Sequence, residues 1–122
     1  MAEPKEPKPD RNPDHLERTF RTKLELALCA LRSKGFNPVL VEGRRSQGRQ
    51  SWLYGVGRWH HKRRRPVTWT MESRHLKGKA ADIIEARDGY DNNWFFVQLG
   101  LCCQSEGLRT LPHDRCHVEE AY

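Results

Sequence analysis

The chain has 122 residues and a formal charge of +6, from 22 lysines and arginines against 16 aspartates and glutamates. That length holds one hydrophobic core and not two. With 31% charged and 36% hydrophobic residues and a mean hydropathy of -0.90, the core must be small, which favours a loop-rich α+β domain over a large sandwich. No stretch approaches the roughly 18 apolar residues of a membrane span. The opening "MAEPKEPKPDRNPD" lacks the apolar run of a secretory signal, so the expectation is a soluble chain kept in the cytoplasm until another device releases it. The sequence pI of about 9.4 points to an anionic partner.

Residues 1–13 alternate charges with Pro4, Pro7, Pro9 and Pro13, too polar a segment to order itself, and are expected to be a flexible tail ahead of a single catalytic domain over 14–122. From His15 to Lys34, Leu24, Leu28 and Leu31 recur at helical spacing behind Leu16 and Phe20, and Gly35 reads as the stop. Cys29 falls in this stretch and reads as a small core residue. Val39, Leu40 and Val41 make a short buried strand. "RRSQGRQSWLYGVG" reads as a short helix carrying Trp52, Leu53 and Tyr54.

Residues 58–66, "RWHHKRRRP", are the densest positive run. A solvated loop is the simpler account of them, and a polyanion contact with Trp59 as a stacking platform is the sharper one. His60 and His61 read as surface residues there, because neighbouring cations discourage metal binding. "VTWT" has strand composition. "AADII" is another strand, with Ala80, Asp82 and Ile84 on one face and Ala81 and Ile83 on the other. Residues 94–104 read as a second core helix, and "LPHDRCHVEEAY" as a proline-fixed turn followed by an extended piece with His117, Val118 and Glu119. Cys29, Cys102, Cys103 and Cys116 are expected as reduced thiols. The last three with His117 lack the paired spacing of a structural zinc cluster.

Two polar clusters carry the chemistry. In "SRHLKGKAAD" (73–82), His75 and Asp82 are seven residues apart, about 10 Å along one helix, too far to reach a common ion. A bend at Gly78 leading into a strand would bring them together, with the alanines leaving space. Asp114 and His117, behind Pro112, can be delivered to one locality by a tight turn. Three ligands, His75, Asp82 and His117, plus a separate carboxylate base, Asp114, form the pattern of a catalytic Zn2+ site. A cationic side chain is then required for the oxyanion.

These residues resemble the zinc-dependent peptidoglycan peptidases, the VanY-like D-alanyl-D-alanine carboxypeptidases and the L-alanyl-D-glutamate endopeptidases of phage endolysins. Ser73, His75, Gly78, Ala80 and Asp82 match the family's Ser-x-His-x-x-Gly-x-Ala-x-Asp. Asp114, His117, Val118 and Glu119 match its motif of an acid ahead of a histidine. Glu42, Gly43, Arg45, Ser46, Arg49, Gln50, Leu53 and Tyr54 match a third.

The resemblance implies a small hedgehog/DD-peptidase-like domain, a short antiparallel sheet flanked by helices. It also implies a zinc peptidase of the peptidoglycan stem, in which Arg45 binds or polarises substrate and Ser73 contacts substrate or supports a ligand. His113, beside Asp114, would face away on an extended piece and is a candidate substrate contact. The Trp-Gly segment usual before the second acid is replaced by "GLRTLPHD".

Aspartate at 114 looks more like the L-alanyl-D-glutamate endopeptidases, and a small cationic domain resembles a phage-type endolysin that lyses the cell wall. D-alanyl-D-alanine carboxypeptidase is the alternative within the family. A metal-keeping but inactive wall-peptide binder and a basic nucleic-acid-binding module are readings of another class, the last explaining none of the histidine and aspartate spacing. Peptidoglycan is the expected partner and a monomer the expected state.

Overall fold

A computed structural model describes residues 3–121. A 3-10 turn, Pro13–His15, precedes α1, Arg18–Ser33. Strand β1, Pro38–Glu42, leads to α2, Gln47–Gly55, and a second 3-10 turn, Arg74–Lys77, to β2, Ala80–Glu85. Then come α3, Asn93–Gln104, β3, Leu108–Leu111, and β4, Asp114–Glu120. The four strands form one antiparallel sheet in the order β1-β2-β4-β3, an α+β fold as expected. Among the described residues no helix is long and apolar enough to cross a membrane.

Helix α1 starts where the Glu17 carboxylate accepts the Thr19 and Phe20 amides, satisfying donors that a helix start leaves free. Its buried stripe, Phe20, Leu24, Ala27, Leu28 and Leu31, packs with Phe95, Phe96 and Leu99 of α3 against Ala81, Ile83, Leu108 and Val118 of the sheet. Both helices therefore cover one sheet face. Strand alternation sends Asp82 and His117, each the neighbour of a core residue, to the other.

Several sequence expectations are corrected. Cys29 is exposed, because it lies off the Leu24, Leu28, Leu31 stripe by about one residue's rotation, near 100°. "VTWT" forms no strand; Trp69 is 82% exposed, and the segment instead walls a cleft. Leu108–Leu111, unassigned in the sequence reading, is edge strand β3, paired with β4.

The N-terminal residues lie along the domain. The Gly43 amide donates to Asp10 O at 2.8 Å. Arg49 Nη1 donates to Pro7 O at 2.7 Å and to Glu6 Oε2 at 3.0 Å, and Trp52 Nε1 to Pro4 O at 2.9 Å.

Phe95 is fully buried at the junction of α3 and α1's core stripe. Phe95→Ala should cost about 3–5 kcal/mol in urea denaturation. Cys29→Ser, at the exposed position, should stay within about 0.5 kcal/mol of wild type.

Candidate metal centre

The centre is assembled by strand register. Asp82 lies directly opposite His117 across the β2–β4 pair, and Ala80 opposite Glu119, so these four share one face. On the other side of β2, a bulge between Leu40 and Glu42 shifts the register and sets Glu42 opposite Asp82. His75 arrives from the 3-10 turn, which Ser73 opens by accepting the His75 amide on its Oγ at 3.2 Å. Gly78 closes that turn at φ 68°. A Cβ there would meet the Glu17 backbone N at 2.9 Å and His15 O at 3.0 Å, so the bend and the close approach both require glycine.

Each imidazole is fixed by one nitrogen and presents the other. His75 Nδ1 lies 2.7 Å from Gly43 O; a carbonyl only accepts, so Nδ1 carries the proton and Nε2 is the free lone pair. His117 Nε2 lies 2.8 Å from Glu119 Oε1, which leaves Nδ1 free by the same argument. Those free nitrogens both aim at Asp82 Oδ1, His75 Nε2 at 3.5 Å and His117 Nδ1 at 3.6 Å. Asp82 Oδ1 is buried and has no hydrogen-bond partner, a cost that native folds avoid unless something else fills the need.

The donor set fits a zinc ion. Tetrahedral ligands at about 2.0–2.1 Å from zinc stand about 3.4 Å apart, close to the separations found. Both histidines have the outer hydrogen bond that orients metal-ligating imidazoles. Burial pushes the Asp82 carboxyl up; positive charge on the flanking imidazoles of His117 and His75, standing where a metal cation would otherwise stand, outweighs it and holds the group well below the usual carboxylate range. Burial pushes Glu119 up as well, and Arg109 with His117 draws it below its ordinary value. Glu119 is thus an ionised acceptor, gripped by Arg109 Nη2 at 2.7 Å.

Around the triad lies a cleft of about 830 Å³ lined by Arg45, Ser73, Trp69, His113, Asp114 and other residues. Arg45 Nη2 donates to Glu42 Oε1 at 2.7 Å, and Nη1 to Gln50 Oε1 at 2.8 Å. Its Nη2 stands 4.0 Å from Asp82 Oδ2, and its buried Nε is unpartnered. Arg49 also pairs with Glu42, so the third sequence motif builds one charged network beside the triad. Asp114 is exposed at the start of β4, with Cys116 Sγ 3.3 Å from its Oδ1. His113 is exposed on the same rim.

The fold thus brings together all seven residues singled out in the sequence. What sequence reasoning missed is the service of Glu119 and of Gly43 O to the two rings. The i, i+2 spacing of His117 and Glu119 on a strand was the available signal; no sequence signal marks a backbone carbonyl.

No protein-family model matches the sequence, and no curated protein does. Solved structures do match. An L-Ala D-Glu endopeptidase from Serratia marcescens, ChiX, superposes with a TM-score of 0.66 at 20% identity over 89% of this chain and 83% of that one. A vancomycin-resistance D,D-pentapeptidase, VanY, in complex with Zn(II), gives 0.69 at 17% identity over 88% and 73%. An L,D-carboxypeptidase, DacB, from Streptococcus pneumoniae gives 0.62 at 21% over 91% and 68%. The chain has the VanY-like peptidase fold.

Zn2+ should raise the melting temperature of the wild-type protein by mass action on the folded state. Asp82→Ala and His117→Ala should lower zinc affinity sharply in calorimetric titration. Gly78→Ala should melt earlier and bind zinc more weakly, since it moves the turn that carries His75.

Proposed function

We propose that the protein is a zinc-dependent peptidase of the peptidoglycan peptide stem, acting as an L-alanyl-D-glutamate endopeptidase. The observation that carries the reading is the convergence of His75 Nε2, His117 Nδ1 and the unpartnered Asp82 Oδ1 on one point. That point lies within a cleft that also holds a separate carboxylate and a cation.

In this reading His75, Asp82 and His117 hold the metal, and Gly43 O and Glu119 keep the rings turned towards it. Bound zinc supplies Lewis acidity, acidifying water and polarising a carbonyl. Asp114 takes the proton from the attacking water and returns it to the leaving amine. Arg45, locked by Glu42 and Gln50, presents fixed positive charge to the substrate where oxyanion character develops. Ser73 and His113 contact the substrate from the rim; in the uncomplexed chain the Ser73 hydroxyl caps the 3-10 turn.

Two things support the endopeptidase over a carboxypeptidase: Asp114 in the acid position of the second motif, and the structural likeness to an L-Ala D-Glu endopeptidase. Carboxypeptidase action on a D-alanyl-D-alanine end is the second reading, favoured by the likeness to VanY in complex with D-alanine-D-alanine. A lytic role of the phage-endolysin kind, on the cell wall after release from the cytoplasm, goes with the motif resemblance and the +6 charge, which suits anionic wall polymers.

Mass spectrometry of peptidoglycan digested with the zinc-loaded protein should show new N-terminal D-glutamate. Release of single D-alanine would instead establish the carboxypeptidase, and no cleavage in any wall preparation would refute peptidase function. Asp114→Ala should abolish release, a loss of at least about 100-fold for a general base, while retaining bound zinc by metal analysis.

A further inference from the structure

The basic segment that follows α2 plays no part in the triad, yet it carries a second convergence of metal-ligating side chains. Glu3, His60 and His61 offer donor atoms that all lie within 4.8 Å of one another. His60 is buried rather than on the surface, which corrects the sequence expectation. Its ring packs against the backbone of Gly55, where a Cβ would come within 2.7 Å of Nε2. Trp52 covers it, with ring centroids 4.8 Å apart.

The hydrogen-bond pattern repeats the logic of the first centre. His60 Nε2 lies 2.8 Å from Trp52 O, so Nε2 carries the proton and Nδ1 is the free lone pair. That Nδ1 faces His61 Nδ1 at 2.6 Å, a separation at which one proton is shared between the rings. Glu3 Oε2 stands 3.3 Å from His61 Nδ1 and 3.9 Å from His60 Nδ1, and it also accepts the His61 amide at 2.7 Å. His61 holds φ at 45°, a region costly for a residue with a Cβ. The backbone is thus bent in the way that aims the second imidazole back at the first.

We propose that Glu3, His60 and His61 form a second metal site, for a divalent borderline transition metal such as Zn2+. Two imidazoles and a carboxylate are the donor types such ions select. The metal takes the place of the shared proton: His61 gives up its Nδ1 proton or moves it to Nε2, and the rings part by under about an ångström to reach the roughly 3.4 Å spacing of tetrahedral ligands. Lys62, Arg63 and Arg64 line the same pocket, so this site is the weaker of the two. Its effect is to clasp the N-terminal segment, already held through Pro4 and Trp52, onto the loop whose continuation, Val67 to Thr70, walls the catalytic cleft. The inference stands on its own donors and does not require that the protein be a peptidase.

The test is zinc titration of the metal-free full-length protein by calorimetry, with metal analysis after gel filtration. The wild type should take up a second, weaker equivalent that is missing from His61→Ala and weakened in Glu3→Gln, both surface-accessible changes that leave the first equivalent intact. Asp82→Ala, which removes the stronger site, should still bind the weaker equivalent, and Asp82→Ala combined with His61→Ala should bind neither. Hydrogen exchange should show zinc slowing the amides of residues 58–65 in Asp82→Ala protein. A single equivalent in the wild type, or a second equivalent that persists in His61→Ala and Glu3→Gln, would overturn the proposal and leave the two rings as a proton-sharing pair.

Discussion

The buried carboxylate of Asp82 is the constraint on which the rest of the molecule turns. An ionised oxygen with no hydrogen-bond partner is expensive in a protein interior, and here it faces two lone pairs rather than two donors, because Gly43 O and Glu119 have claimed the protons of both rings. Three acceptors pointing at one another repel unless a cation stands between them. The sheet nonetheless holds them there. β2 and β4 are locked in register by Ala81, Ile83 and Val118 on the opposite face, and slipping that register by one residue would drive Asp82 into the core. The apolar layer thus stabilises the arrangement that the polar face alone would disfavour, and stored electrostatic cost becomes affinity for a metal.

Charges around the centre are graded rather than uniform. Glu42 is sandwiched between Arg45 and Arg49 and Glu119 between Arg109 and His117, so each carboxylate near the triad is ionised and engaged. Burial raises the Glu42 carboxyl, and the two guanidiniums reverse the sign. Asp114, by contrast, is left at the exposed rim with a thiol as its neighbour. A ligand-supporting acid must stay ionised and still, whereas a proton carrier must meet water and substrate. In the proposed reading those two roles fall along one strand, with Asp114 exposed at its start and Glu119 at its buried end.

Much of this was legible in the sequence where local periodicity and a global role agree. Helix α1 was readable because its apolar residues recur on one face, α3 because it is a long apolar run, and β2 because its alternation puts Asp82 opposite to Ile83. The misses have physical reasons. β3 spans only four residues, with Arg109 and Thr110 among them, and is a strand only because β4 offers it an edge. "VTWT" has β-favouring residues with no neighbouring strand to pair with. His60 looked like part of a solvated cationic run, and its burial comes from Trp52 and Gly55 of the preceding helix.

Residue chemistry and spacing by themselves pointed to two candidate ligand clusters, because His75 and Asp82 around a glycine bend and Asp114 with His117 behind a proline are each short-range features, readable without knowledge of the fold. They also determined the fold class, since amphipathic periods are written locally. Tertiary structure alone decided which nitrogen of each imidazole is free, that Glu119 and a backbone carbonyl make it so, and that the N-terminal residues reach His60 and His61. Those facts depend on strand register and on contacts between residues tens of positions apart, which only the packing of the whole chain brings within hydrogen-bond distance.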